Sequence, residues 1–278
     1  MNADARLPLV ADDPLAPFIA KVKRADERLN ALHRQLDRWG EAHPILIGTE
    51  LDVHTGWHTS YIRKTEPLPA RFAIPVGESL YHGRSVLEHL VWALVKANKQ
   101  TPGDAHSFPV MRKPVPRIKR ERRYRDAFIR THGNGKLVGV HPDAMTVIER
   151  LQPYNRRKRP PYFLTILDEM AIEDRHHALH VARTTMADPR NLVDLGIRTP
   201  RGVTVVEWEP LFKAGDRLKA DAKLARFRLS RYGRKPKVGV EVDLPVLVAV
   251  GKRRLALGAF YAINSHLREL LGLFKEFL

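Results

Sequence analysis

Ile74-Pro75-Val76-Gly77-Glu78-Ser79-Leu80-Tyr81-His82-Gly83-Arg84-Ser85-Val86-Leu87-Glu88-His89-Leu90-Val91-Trp92-Ala93-Leu94-Val95-Lys96-Ala97 is the stretch that decides the fold. Leu80, Leu87, Val91 and Leu94 form one stripe at helical spacing, and Val86, Leu90 and Val95 widen it. So broad an apolar face belongs in the middle of a helical bundle. Turning the helix by about 100° per residue sets His82, Ser85, Glu88 and His89 on its polar side, with Arg84 at the edge of the stripe. Ionisable groups on a half-buried helix are costly unless they pair or meet a ligand, so Arg84, Glu88 and His89 mark a candidate site.

Outward from this helix the pattern alternates between helical and extended. Pro17 to Trp39 carries Phe18, Val22, Ala25, Leu29, Leu32 and Leu36 at steps of three and four and reads as an amphipathic helix closed by Gly40. Ile45 to Val53 and His58 to Lys64, split by His54-Thr55-Gly56-Trp57, read as a β-hairpin ended by Pro67 and Pro69. Four prolines between Lys99 and Asp126 make that segment a loop, with helix recovering somewhere in Lys119 to Ile129. Pro142 to Leu151 reads as a short helix, and Tyr162 to Thr185 as a long one. Beyond it Gly202 to Trp208, Asp216 to Leu229 and Val238 to Val250 are extended, with turns at Gly215, Gly233 and Gly251. A last helix, Phe260 to Phe277, would dock on the bundle through Ile263, Leu267, Leu270, Leu271 and Phe274.

The expected fold class is therefore α+β: a mainly α-helical bundle with an antiparallel β-rich elaboration toward the C-terminus. The bundle is expected over residues 1–190 with the hairpin inserted at 45–65, the β segment over 200–258, and the docking helix over 259–278.

Of the 278 residues, 48 are Lys or Arg and 31 Asp or Glu, a net charge of +17, which points to a polyanionic partner. The charge is clustered in two proline-containing connections. Arg112, Lys113, Lys119, Arg120, Arg122 and Arg123 form one group, and Arg156, Arg157, Lys158 and Arg159 the other. These are the candidate nucleic-acid contacts. No apolar run approaches the roughly 20 residues of a membrane span, so no membrane partner is expected. Absent cysteine excludes disulfides and thiolate-bound zinc, and together with an N-terminus unlike a secretory signal it makes the cytoplasm the expected location.

A second segment, Asp174-Arg175-His176-His177-Ala178-Leu179-His180, again gathers ionisable residues on an expected helix. Packed beside the Arg84–His89 helix, it would form a pocket in which a carboxylate orients a histidine and an arginine holds a phosphate. Arg-x4-His alone is a weak signal, since Arg28/His33, Arg38/His43 and Arg175/His180 repeat it. A metal held by Glu78, His82, Asp174 and His176 is conceivable, but no His-Glu-x-x-His element supports one, and neither metal nor cofactor is expected.

Residues 74–92, followed by Phe108-Pro109-Val110, Leu151-Gln152-Pro153-Tyr154 and Glu173-Asp174-Arg175-His176, resemble a family of largely uncharacterised bacterial and phage proteins. Its pattern runs Leu-Arg-Ser-Ala-Leu-Asp-His-Leu, Phe-Pro-Ile, Gln-Pro-Tyr and Asp-Lys-His-Arg, and the likeness spans about residues 73–182. The Arg-Ser-x-x-x-His element is in turn similar to the motif of HEPN domains. Those are small helical bundles, many of them metal-independent endoribonucleases of toxin and phage-defence systems. The resemblance implies RNA binding, RNA more than DNA, and a homodimer sharing a cleft. In it Arg84 would clamp the phosphate, His89 would act as acid or base, Glu88 or Asp174 would orient His89, and His176 would be a second acid/base group. Tyr81-His82 and Arg175-His176-His177 stand where members often have His-Asn and Lys-His-Arg. The other reading is a non-catalytic nucleic-acid-binding or regulatory protein in which the Arg/Glu/Asp/His set is structural, with Trp57, Tyr124 and Tyr154 stacking on bases.

Overall fold

A computed structural model describes residues 13–119, 123–156, 162–177, 179, 181–185, 199, 201–213, 216–230, 246–250 and 255–278. It mixes α-helices with antiparallel sheets: α1 Ala16–Ala42, β1 Leu46–Leu51, β2 His58–Lys64, α2 Ile74–Ala97, α3 Tyr124–Gly133, α4 Pro142–Arg150, α5 Phe163–His176, β3 Val181–Thr185, β4 Val205–Pro210, β5 Lys223–Leu229, β6 Val246–Val250, β7 Leu255–Ala256 and α6 Leu257–Gly272. Two compact units result. The first takes α1 up to Ala31, α2 from Pro75, α3 to α5, and α6 from Gly258; the second takes the rest of α1 and all the strands. No described helix is long and apolar enough to cross a membrane.

In the helical unit the wide stripe of α2 is fully covered: Val76, Val86, Leu87, Leu90, Val91 and Val95 expose nothing to solvent. Gly83 lets the neighbours come close, because a methyl group there would lie 3.2 Å from Leu267 of α6 and 3.3 Å from Leu167 of α5. α1 buries Phe18, Val22, Ala25 and Leu29, and it is tied to α6 through Asp26, which accepts from Asn264 at 2.8 Å and pairs with Arg268. Removing a half-buried carboxylate that holds two donors leaves both unsatisfied. Asp26→Ala is accordingly expected to lower the unfolding free energy by about 2 kcal/mol, read by urea titration.

The short helix α4 begins on Pro142, where a missing N–H costs nothing, and the His141 ring nitrogen accepts from Asp143 N–H at 3.3 Å. Between α2 and α3 the proline-rich segment is pinned at intervals. His106 Nε2 donates to the Val138 carbonyl at 2.8 Å while its Nδ1 accepts from Gly103 N–H. Fully buried Gln152 accepts from Met111 N–H at 2.9 Å and donates to Ile148 O at 2.9 Å.

In the second unit the hairpin joins a four-stranded sheet of order β1-β2-β5-β4, antiparallel throughout. Ile62, Phe212, Leu218, Leu224 and Ala225 form its core. On the exposed side Glu209 faces Arg226 and Glu207 faces Arg228, and both guanidiniums lie within 5 Å of the Trp57 ring. A smaller sheet runs β3-β6-β7.

Two expectations about helix ends are corrected. α1 does not stop at Gly40: it runs to Ala42, where His43 stacks on Trp39 at 4.5 Å and its N–H bonds the Trp39 carbonyl. Gly40 is not among the glycines with positive φ, so it is not used as a left-handed cap. The helix expected to Thr185 ends at His176, because His177 is extended (φ −145°, ψ 139°) and Val181–Thr185 pairs residue by residue with Val246–Val250. Val181, Thr184 and Thr185 are β-branched and satisfy their backbone in the ladder with a matching Val-rich strand. The turns expected at Gly215, Gly233 and Gly251 lie outside the described residues.

Candidate active site on the α2 and α5 helices

Asp174 stands against α2 at Gly77, where a methyl group would come within 2.6 Å of its carboxylate, so glycine is what permits this approach. Burial pushes the Asp174 carboxyl above its ordinary range. From here a cleft of about 610 Å³ opens between the two helices, lined by Tyr81, Arg84, Ser85, Glu88 and His89 of α2, by Ala171, Asp174 and Arg175 of α5, and by Ser107. Arg84, Glu88, His89 and Asp174 are thus brought together. His176 is exposed in the last turn of α5 and does not line the cleft.

Arg84 is heavily engaged. One terminal nitrogen donates to Glu88 Oε1 at 2.7 Å and to the Phe108 carbonyl at 2.9 Å, and the other lies 3.5 Å from Asp168. Glu88 Oε2 accepts the Phe108 N–H at 3.0 Å. The pair therefore clamps both backbone groups of Phe108, whose ring is fully buried, and fixes the Ser107 wall of the cleft. Both Glu88 oxygens are spent in this way, and neither bonds His89.

His89 is exposed on the cleft rim, with no hydrogen-bond partner among the described residues. Its imidazole is held below the usual histidine range, first by partial burial and then by the Lys21 charge, against the pull of Glu88. Lys21 comes from α1 and donates to Ser85 Oγ at 3.0 Å. Nothing in the Arg84–His89 pattern points to Lys21. Its signal lies in α1, where Lys21, Arg24 and Arg28 recur on one face; Arg28 pairs with Glu78 at 2.9 Å, and all three cations help depress His82.

The cleft thus combines a neutral-leaning imidazole, a hydroxyl anchored by a lysine, a carboxyl of raised pKa and the exposed guanidinium of Arg175. Such a set can accept a proton, hold an anion and return a proton. Among the described residues no three His, Asp or Glu side chains converge as a metal ion would need.

The two basic segments are only partly in view. Lys113, Lys119 and Arg123 are exposed, as is Arg112, which pairs with Glu169 of α5. Arg117 lies over the half-exposed Tyr124 ring at 4.8 Å. Arg120, Arg122, Arg157, Lys158 and Arg159 lie outside the described residues, and of Arg156 only the backbone, closing the turn Pro153–Arg156, is described. Tyr154 is no stacking platform: it is buried, and its hydroxyl donates to Glu149 at 2.8 Å. Burial first, and Glu149 next, push that phenol far above its ordinary range. The Gln152-Pro153-Tyr154 block, like Phe108, therefore serves to hold the loop that walls the cleft. Comparison of the chain with protein-family models, with curated proteins and with solved structures returns no match.

Proposed function

We propose that this chain is a HEPN-like RNA-binding protein whose α2–α5 cleft cleaves RNA without a metal ion. The observation that carries the reading is an exposed His89, disposed toward its neutral form, in a cleft it shares with Asp174, Arg175 and the Lys21-anchored Ser85. RNA supplies its own nucleophile. His89 takes the 2′-hydroxyl proton as the 2′-oxygen bonds to phosphorus. Arg175 and Lys21 face the phosphate charge, and the bond to the 5′-oxygen breaks as Asp174 returns a proton to it. The products are a 2′,3′-cyclic phosphate and a 5′-hydroxyl. Arg84 supports this chemistry by holding the Ser107–Phe108 wall, and the likeness to HEPN domains adds a homodimer to the proposal.

The experiment that tests it is incubation of a mixed RNA with the purified protein in EDTA, with the termini of any products identified. Cyclic phosphate ends are the expected result; intact RNA in the presence of folded protein would defeat the catalytic part. Binding is read separately. The logarithm of RNA affinity should fall with the logarithm of salt at about 0.7 per phosphate contacted on a single strand, and a flat dependence would remove the basic segments from the interface. One observation favours a second reading, a non-catalytic binder: Glu88 and one terminal nitrogen of Arg84 are already engaged with each other and with Phe108.

A further inference from the structure

His89 is shared by two clefts. A second hollow of about 560 Å³, which Asp174 does not line, is formed by Pro17 and Phe18 of α1 and by Glu88, His89, Trp92, Ala93 and Lys96 of α2. It is the less polar of the two: Phe18, buried, and Trp92, 38% exposed, give it aromatic walls, and Lys96 at the rim forms no ion pair among the described residues. His89, Trp92 and Lys96 lie one turn apart in succession, at spacings of three and four, so all three look out along the same side of α2.

We infer that this hollow receives an unstacked nucleobase of single-stranded RNA, next to the scissile phosphate of the first cleft. The inference rests on the proposed function and narrows it to a substrate class. A partly exposed indole beside a proton-transfer group is a stacking platform any base can use, and a lysine one turn on is placed for the next phosphate. The two clefts share Glu88 and His89, so one strand can engage both, and the excess positive charge of the chain favours this polyanion over another protein. A base paired in a duplex is stacked on its neighbours and cannot enter, so single strands are the substrate and duplex RNA is not.

The test measures equilibrium binding of a short single-stranded RNA, the same RNA with one abasic position, and a duplex of equal length. The protein is wild type, Trp92→Ala, Trp92→Phe, Lys96→Ala or His89→Ala. Trp92→Ala is expected to weaken single-strand binding by roughly tenfold, with Trp92→Phe retaining most of it. The abasic strand should bind the wild type more weakly, and His89→Ala should fail to cut. Equal binding of single strand and duplex, or an unchanged affinity in Trp92→Ala with normal cleavage, would overturn the inference and leave the nuclease reading intact. A Trp92 effect on binding with no cleavage by any form would do the reverse. Sedimentation of the same proteins closes the remaining route: a dimer dissociated by Trp92→Ala would give the hollow to a second copy and overturn the inference.

Discussion

Replacing His89 with alanine is expected to reduce metal-free RNA cleavage by roughly 10²- to 10⁴-fold, the usual contribution of one acid–base group, with the unfolding free energy unchanged to within about 0.5 kcal/mol. The side chain is exposed and carries no hydrogen bond among the described residues, so nothing in the fold depends on it. The pH profile offers a sharper check. A histidine acting as base must be neutral, so the rate rises as pH climbs through its pKa, which burial and Lys21 hold below the usual 6.5. An acid must be protonated, so the rate falls as pH climbs through the pKa of Asp174, raised by burial from 3.8. The two requirements together give a bell-shaped profile. Lys21→Met removes a positive charge that disfavours the imidazolium, so the His89 pKa rises and the limb it sets moves to higher pH. A rate still climbing above pH 8, or a limb indifferent to Lys21, would take His89 out of the reaction.

Arg84→Ala is expected to act differently, costing about 3 kcal/mol of stability as well as activity. It leaves Glu88 without its cation and the Phe108 carbonyl without its donor, at a site where the Arg84 side chain is only 18% exposed. Arg84→Lys should recover little of this, since an ammonium lacks the second arm that lies toward Asp168 while the first holds Glu88 and Phe108. Urea denaturation decides the point. If Arg84→Ala unfolds at the wild-type midpoint while cleavage is lost, the guanidinium serves the phosphate directly rather than the wall of the cleft.

How far the site can be read from the sequence depends on the range of the interaction. The ionisable side of α2 is legible because one helical period places Arg84, Glu88 and His89 together, and the same rule pairs Arg84 with Glu88. That Glu88 bonds Phe108 N–H rather than His89 is not legible, because the partner is 20 residues away across a proline-rich loop. Lys21 is hidden for the same reason, separated by 64 residues from the hydroxyl it holds. The helix over-extended to Thr185 shows the limit of periodicity: in sequence Ala178 and Val181 continue the stripe of α5, yet His177 and Val181–Thr185 are extended.

What the sequence by itself determined is local. Apolar spacing set the wide buried face of α2, prolines broke the chain between α2 and α3, and Asp52 with Gly56 at φ +73° closed the hairpin. These rest on contacts within one turn of helix or one tight turn, whose energetics the neighbouring residues supply. The tertiary structure alone decided that β2 lies beside β5, that Val181–Thr185 is a strand, and that Arg84 is bound to Phe108 while His89 stays open to solvent. In each of these a backbone or charged group takes the partner that folding brings to it from far along the chain, and local propensity is too weak to choose among the candidates.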